Sequence, residues 1–220
     1  MRTVNGTAVL KSSALEISTA GRNSGVPPGT IALGRAVTGQ VTNADVGETM
    51  SAVQQSEVWQ RGAVEGFDPL LMPVVHALMQ VREDIGRLAA AVPAEHVWQR
   101  PGGAASVGFH VRHAAGALDR LLTYARGEAL SDEQRAAARV EAQAGEPPAS
   151  LTAVVDEATR LIDRALEQVR VTSRESLTEA RRVGRAELPS TVLGLVFHAA
   201  EHATRHVGQA TTTARILAGL

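Results

Sequence analysis

Apolar residues recur every three or four positions along much of the chain after residue 50, with polar residues between them. This spacing places the apolar side chains on one face of a helix. It predicts helices over residues 69–91, 106–126, 150–169 and 189–217. Four amphipathic helices joined by loops are typical of an all-α protein, and we predict a four-helix bundle.

Residues suited to helix ends support three of these boundaries. Pro93 cannot continue the first helix, and Ser106 offers a side-chain oxygen that can cap the second. Gly127 follows the second helix and accepts the left-handed backbone that often ends one. The periodic segments therefore begin and end where the residue chemistry allows.

Two connections between the helices are longer and polar. The segment Ser-Asp-Glu-Gln from Ser131 matches a capping-box pattern and predicts a short helix within residues 128–150. Residues 170–188 are polar and rich in arginine, so we predict a connection there. Pro189 then suits the first turn of the last helix, where a missing N–H costs little.

The first 49 residues differ from the rest of the chain. They are rich in Gly, Thr, Ser, Asn and Val and show no sustained periodicity. Such a segment has too little apolar clustering to offset the entropy of ordering. We therefore predict a disordered or weakly structured extension over residues 1–49 and a helical domain over residues 50–220. Two hypotheses concern Met50: it follows a native extension, or it is the true start of the protein.

The composition excludes several classes of function. Aromatic residues make up only 3 % of the chain, which favours packed helices with a Leu, Val and Ala core. A net charge of −1 gives no electrostatic footprint for nucleic acid or an anionic membrane. The chain has no cysteine, which excludes disulfides, thiolate zinc sites and cysteine nucleophiles. With no apolar run of about 20 residues, we expect a cytoplasmic protein that does not span a membrane.

Histidines are concentrated in two of the predicted helices. Five of the seven lie in the segments FHVRH, with His110 and His113, and HAAEHATRH, from His198 to His206. Imidazole is the commonest protein ligand for transition metals near neutral pH. Residues four apart on a helix share one face, so His202 and His206 can chelate one ion.

The last helix can be written as a buried seam of alternating three- and four-residue steps: Val192, Leu195, Ala199, His202, His206, Gln209, Thr213 and Ile216. Three consecutive positions in the middle of this seam are polar. Burying such groups without partners costs about 1–3 kcal/mol each. A metal ion would satisfy His202 and His206, and Gln209 would serve as a hydrogen-bond partner beside them. His198 lies toward the flank of the seam and is a weaker ligand candidate.

A third ligand has to come from another helix, and the second helix offers His110 and His113. Periodicity favours His110, which falls nearer the apolar stripe of that helix, whereas His113 falls at its edge. The pattern leaves both open. It also leaves open a plain helical protein whose histidines are satisfied by hydrogen bonds alone.

Two longer segments, FHVRHAAGALDRLLTYARG and LPSTVLGLVFHAAEHATRHVGQ, resemble the DinB-like (damage-inducible-protein-like) superfamily of four-helix bundles. The resemblance covers residues 58–220. It implies one divalent metal ion, zinc or nickel, held by three histidines. The HxxxH pair of that pattern corresponds to His202 and His206. The upstream ligand corresponds to His113, because the HAAGALDRL that begins there fits better than an alignment on His110.

The resemblance also implies a range of functions. Characterised members include S-transferases and isomerases that use low-molecular-weight thiols, so we predict a metal-dependent transferase or hydrolase acting on a small molecule. Gln209 would orient a ligand, and no carboxylate stands out as a general base. We further expect a homodimer. The alternative is a non-catalytic, metal-stabilised bundle that serves as a binding or stress-response module.

Overall fold

Five α-helices and one β-hairpin form the part of the chain that the computed structural model describes, residues 56–219. The helices are α1 (Met72–Ala91), α2 (Val107–Ala125), α3 (Asp132–Val140), α4 (Leu151–Val171) and α5 (Val192–Leu217). The strands are β1 (Ala180–Val183) and β2 (Leu188–Thr191). Short 3-10 turns occupy Val58–Arg61, Pro69–Leu71, Ala94–His96, Pro101–Gly103 and Glu175–Thr178. The predicted extension over residues 1–49, and the role of Met50, lie outside the described residues.

The four long helices pack side by side in a closed ring. α2 contacts α4 and α5, and α1 contacts the same two helices from the opposite side. The core between them is built mainly from Leu, Val and Ala side chains, as the low aromatic content predicts. Its largest fully buried residues include Leu71, Leu78, Ile85, Leu118 and Ile162. The prediction of an all-α protein is confirmed. None of the helices within residues 56–219 is long and apolar enough to cross a membrane.

The predicted caps lie at the helix ends. The Ser106 hydroxyl accepts a hydrogen bond from the backbone N–H of Phe109 at 3.2 Å and begins α2. Gly127 follows α2 with a φ of 80°, the left-handed conformation that glycine adopts without strain. Ser131 and Gln134 form the reciprocal capping box at the start of the short α3. Ser106 and Gly127 thus mark the two ends of α2, the helix that carries His110 and His113.

The connection before α5 differs from the prediction. Residues 180–183 and 188–191 pair as an antiparallel hairpin, with Ala180 opposite Thr191. Pro189 therefore lies in β2 and not in the first turn of α5, which begins at Val192 and is capped by the Thr191 hydroxyl. Strands of four residues are too short to give a clear alternating pattern. A two-stranded hairpin also has only edge strands, where proline is tolerated.

Candidate metal centre

α2 and α5 bring three histidines together. His113, His202 and His206 each offer one ring nitrogen, and these nitrogens all lie within 4.8 Å of one another. The ring centroid of His206 lies 4.5 Å from those of both His113 and His202. The Nε2 atoms of His113 and His202 are 3.1 Å apart. The four-residue step on α5 puts its two histidines on one face, and the contact between α2 and α5 adds the third.

The distances and donor types fit a divalent metal ion. Bonds of 2.0–2.1 Å from zinc to two imidazole nitrogens at the tetrahedral angle place those nitrogens about 3.3 Å apart. The 3.1 Å between the two Nε2 atoms is close to this value. All three donors are imidazole nitrogens, which suit several divalent transition metals, zinc and nickel among them. The three histidines could therefore bind a metal ion.

The cluster lies at the edge of the buried face of α5 and not along its centre. His202 and His206 are half-buried, whereas Ala199, Ala203 and Val207 form the buried stripe. The predicted seam drifts because steps of three and four residues fall behind the helical repeat by about 20° every seven residues. Gln209, within this seam, is exposed, whereas Thr213 after it is buried. The predicted burial of Gln209 is therefore wrong, and its role beside the ligands stays a prediction.

His113 has a charged partner that sequence reasoning missed. Its Nδ1 lies 2.6 Å from Oε2 of Glu141, the residue that ends α3. The other oxygen of Glu141 accepts a hydrogen bond from Arg120 Nη1 at 2.5 Å, and Glu141 is only 6 % exposed. Burial alone would raise the pKa of Glu141, but the hydrogen bonds from His113 and Arg120 outweigh it and lower that pKa. Glu141 follows a short polar helix, where no periodic pattern marks it.

His110 lies next to the triad but contacts only one of its members by a hydrogen bond. Its Nδ1 is 3.1 Å from Nδ1 of His206, and its residue is 7 % exposed. Periodicity therefore identified correctly that His110 lies deeper than His113. The converging nitrogens nevertheless belong to His113, His202 and His206, as the family resemblance implies. His198 is half-exposed and pairs with Glu201 at 3.3 Å, outside the triad.

The family model of the DinB superfamily matches residues 77–210, which is more than half of the chain and includes all three histidines. The chain belongs to the DinB superfamily. This confirms the resemblance drawn from the two histidine segments. A comparison with curated proteins gives no match. For this DinB-superfamily protein, the thiol substrate, the homodimer, the cytoplasmic location and the choice between zinc and nickel stay predictions.

The electrostatics favour the neutral form of three imidazoles, those of His110, His202 and His206. Burial lowers the pKa of His110 and His202, and the neighbouring imidazole of His113 lowers both further. Burial and the surrounding imidazoles lower the pKa of His206 to about 4. A metal ion binds the neutral form of histidine, so these side chains are in the binding form at neutral pH.

A separate cavity of about 510 Å³ lies among α2, α3, α4 and the loop that follows α3. Arg120 and Glu141 form part of its wall, but His113, His202 and His206 are not among its lining residues. Two pairs of its polar side chains bond to each other, Gln134 with Asp119 and Arg120 with Glu141. In this DinB-superfamily domain we therefore take the histidine cluster, and not the cavity, as the candidate functional site.

Proposed function

We propose that this DinB-superfamily protein is a metal-dependent enzyme in which His113, His202 and His206 hold one divalent ion, zinc or nickel. The observation that carries the proposal is the convergence of three ring nitrogens from two helices within 4.8 Å. Three protein ligands leave a coordination position for another molecule, which is typical of catalytic sites and not of closed structural ones. The substrate would be a small molecule, and S-transfer with a low-molecular-weight thiol or hydrolysis would be the reaction.

The surroundings of the triad suit a site that binds a small substrate. A divalent ion would supply Lewis acidity that favours the deprotonated form of water or of a thiol. Phe109 stacks on the His113 ring at 5.1 Å and meets the His206 ring edge-on at 6.3 Å, so it excludes water from one side of the cluster. The partial exposure of the triad leaves the other side open to a small substrate.

Charged side chains of α5 border the open side. His198 has its ring 5.6 Å from the His202 ring, and its own side chain is 50 % exposed. Glu201 pairs with Arg205 on the next turn, so its carboxylate is partly neutralised there. We propose that His198, which is both exposed and adjacent to a ligand, exchanges protons with a substrate at this rim.

Elemental analysis tests the metal site directly. The full chain is purified without a metal-binding tag, and zinc and nickel are measured before and after chelation. About one ion per chain is expected, and the His202→Ala/His206→Ala double variant should lose it. His96→Ala is the matched control, because this histidine lies on a 3-10 turn outside the cluster. Wild-type protein that contains no metal and takes up none when divalent ions are added would contradict the proposal.

A non-catalytic, metal-stabilised module is the second candidate. The observation that favours it is the chain of contacts from His202 through His113 to the buried Glu141, which ties the cluster to three helices. Thermal unfolding with and without metal separates the two functions. A large fall in melting temperature on metal removal indicates a structural site, and a small one indicates a catalytic site.

A further inference from the structure

We infer that Glu141 is a positioning residue for the metal centre: it holds the proton of His113 on Nδ1 and so keeps a lone pair on Nε2, the nitrogen that faces His202. This inference rests on the proposed metal site and deepens it. It assigns a role to a side chain that neither belongs to the triad nor lies near it in sequence.

The first step is the hydrogen bond between the two residues. His113 Nδ1 and Glu141 Oε2 are 2.6 Å apart. An ionised carboxylate can only accept a hydrogen bond, so the imidazole must donate from Nδ1. In a neutral ring the proton on Nδ1 leaves the lone pair on Nε2. That nitrogen lies 3.1 Å from Nε2 of His202, on the side where the three ring nitrogens converge.

The second step is what holds the carboxylate in place. Glu141 is buried, and Arg120 donates a hydrogen bond to its other oxygen at 2.5 Å. The guanidinium supplies the opposite charge that a buried carboxylate requires. Arg120, Glu141 and His113 therefore form a line in which each polar group has a fixed partner. The orientation of the His113 ring is set by this line and by the stacked Phe109.

The third step is the space that the carboxylate occupies. Gly116 lies on α2 between His113 and Arg120, and a Cβ placed there would clash with Oε1 of Glu141. It would also approach Arg120 Nη1 to 2.9 Å. Glycine inside a helix costs up to about 1 kcal/mol relative to alanine. Here its missing side chain lets the carboxylate lie directly against the helix.

Among the hydrogen bonds of the described residues, neither of the other two triad members, His202 and His206, has a carboxylate partner. His206 Nδ1 faces Nδ1 of His110 at 3.1 Å, and a neutral histidine can either donate or accept there. A carboxylate partner on a metal-ligating histidine fixes the tautomer and makes the ligand more basic. Within the triad, only His113 has a hydrogen bond to a carboxylate, and Glu141 can therefore hold it in a single tautomer.

Nitrogen NMR on the metal-free full chain tests the tautomer itself. Long-range ¹H–¹⁵N spectra distinguish a protonated ring nitrogen from one that carries a lone pair. We expect wild-type His113 to be protonated on Nδ1, Glu141→Ala to lose this preference, and Glu141→Gln to retain it in part through its amide oxygen. Glu157→Ala is the matched control, since this exposed residue lines the cavity beside Glu141 without contacting a histidine.

Zinc titration against a competing chelator, on the same four proteins, tests the consequence. Loss of such a partner weakens metal binding by about 10–100-fold. We expect this weakening for Glu141→Ala, a smaller one for Glu141→Gln and none for Glu157→Ala. Thermal unfolding of each metal-free variant separates this effect from misfolding, and the isosteric Glu141→Gln provides a second folded variant.

The outcomes distinguish this inference from the proposed function. A wild-type His113 protonated on Nε2, or a Glu141→Ala variant with unchanged tautomer and zinc affinity, overturns the role of Glu141 while leaving the metal site intact. A wild-type chain that binds no zinc overturns the metal site, and the tautomer measurement then decides alone whether Glu141 positions His113.

Discussion

Two faces of α2 are held in the fold by different kinds of interaction. Val111, Ala114 and Leu118 follow one another at helical spacing and are buried in the apolar core. His113, Gly116 and Arg120 follow the same spacing on another face and meet Glu141 and the histidines of α5. The apolar face needs only side chains of suitable size, because dispersion and burial are not directional. The polar face depends on individual partners, since each group there requires a matching donor or acceptor.

The largest effect is expected on the apolar face. Leu118 is fully buried, so Leu118→Ala should lower the free energy of unfolding by about 2–5 kcal/mol, through lost burial and the cavity left behind. Urea unfolding of the metal-free chain measures this loss. Zinc stoichiometry measured on the folded variant should stay unchanged.

Leu193→Ala on α5 is the control for this substitution, because Leu193 is 39 % exposed and should cost clearly less. If Leu118→Ala also abolished zinc binding in the folded state, the two faces of α2 would not be independent, and the contrast drawn between them would be wrong.

The next effect is expected where the polar face is most tightly packed. Gly116→Ala forces Glu141 to move, which breaks buried hydrogen bonds worth about 1–3 kcal/mol, partly offset by the better helix propensity of alanine. We expect a net destabilisation of about 1–2 kcal/mol in urea unfolding. Zinc affinity, measured by chelator competition, should fall as well.

A second glycine of α2 provides the comparison. A Cβ on Gly108 would lie 2.8 Å from the Trp98 ring, so Gly108→Ala should also destabilise the fold. The added methyl group would meet Trp98, which is not a partner of the histidines, and zinc affinity should therefore stay unchanged. Equal losses of zinc affinity in both variants would show that general loosening of α2, and not displacement of Glu141, weakens the site.

The apolar packing of the helices, and where they begin, could be predicted from the sequence. The stripe from Val74 to Leu88 on α1, and the caps at Ser106 and Ser131, depend on interactions within a few residues. The hairpin could not be predicted, because its four-residue strands carry too short a pattern. Interactions between residues close in sequence were therefore enough to predict the long helices, but not the two four-residue strands.

The histidine cluster and its partners could be predicted only in part. The four-residue step from His202 to His206 placed these two side chains on one face of α5. Periodicity favoured His110 over His113 as the third member, and only the family resemblance pointed to His113, whose ring nitrogen converges with theirs. The reason is physical: the three histidines converge at the edge of a buried face and not at its centre, and apolar periodicity finds only the centre. Glu141 was missed because its contacts, with His113 and Arg120, span 28 and 21 residues of sequence and follow no repeat.

The pH dependence of the metal-free chain should reflect the histidines of α5 that meet the polar face of α2. The folded-state pKa of His206 is lowered to about 4, whereas an unfolded histidine titrates near 6.5. Below pH 6.5 the unfolded state therefore binds more protons, and stability falls as the pH decreases. Between pH 7 and 5.5 we expect a loss of about 1 kcal/mol, measured by urea unfolding. The His202→Ala/His206→Ala double variant should show a flatter dependence, and an unchanged slope would contradict this origin.

The smallest effect is expected at Gly208 on α5, two residues beyond His206. A Cβ built there meets nothing within 4 Å, and the position is exposed. Gly208→Ala should therefore stabilise the chain by about 0.5–1 kcal/mol, because alanine loses less backbone entropy in a helix. Zinc affinity should remain within about twofold, since no partner of the histidines is displaced. A clear loss of zinc affinity together with the gain in stability would mean that the backbone of α5 must adjust when the ion binds. The histidine cluster would then depend on backbone freedom in α5 as well as on matched partners, whereas the apolar face of α2 depends on neither.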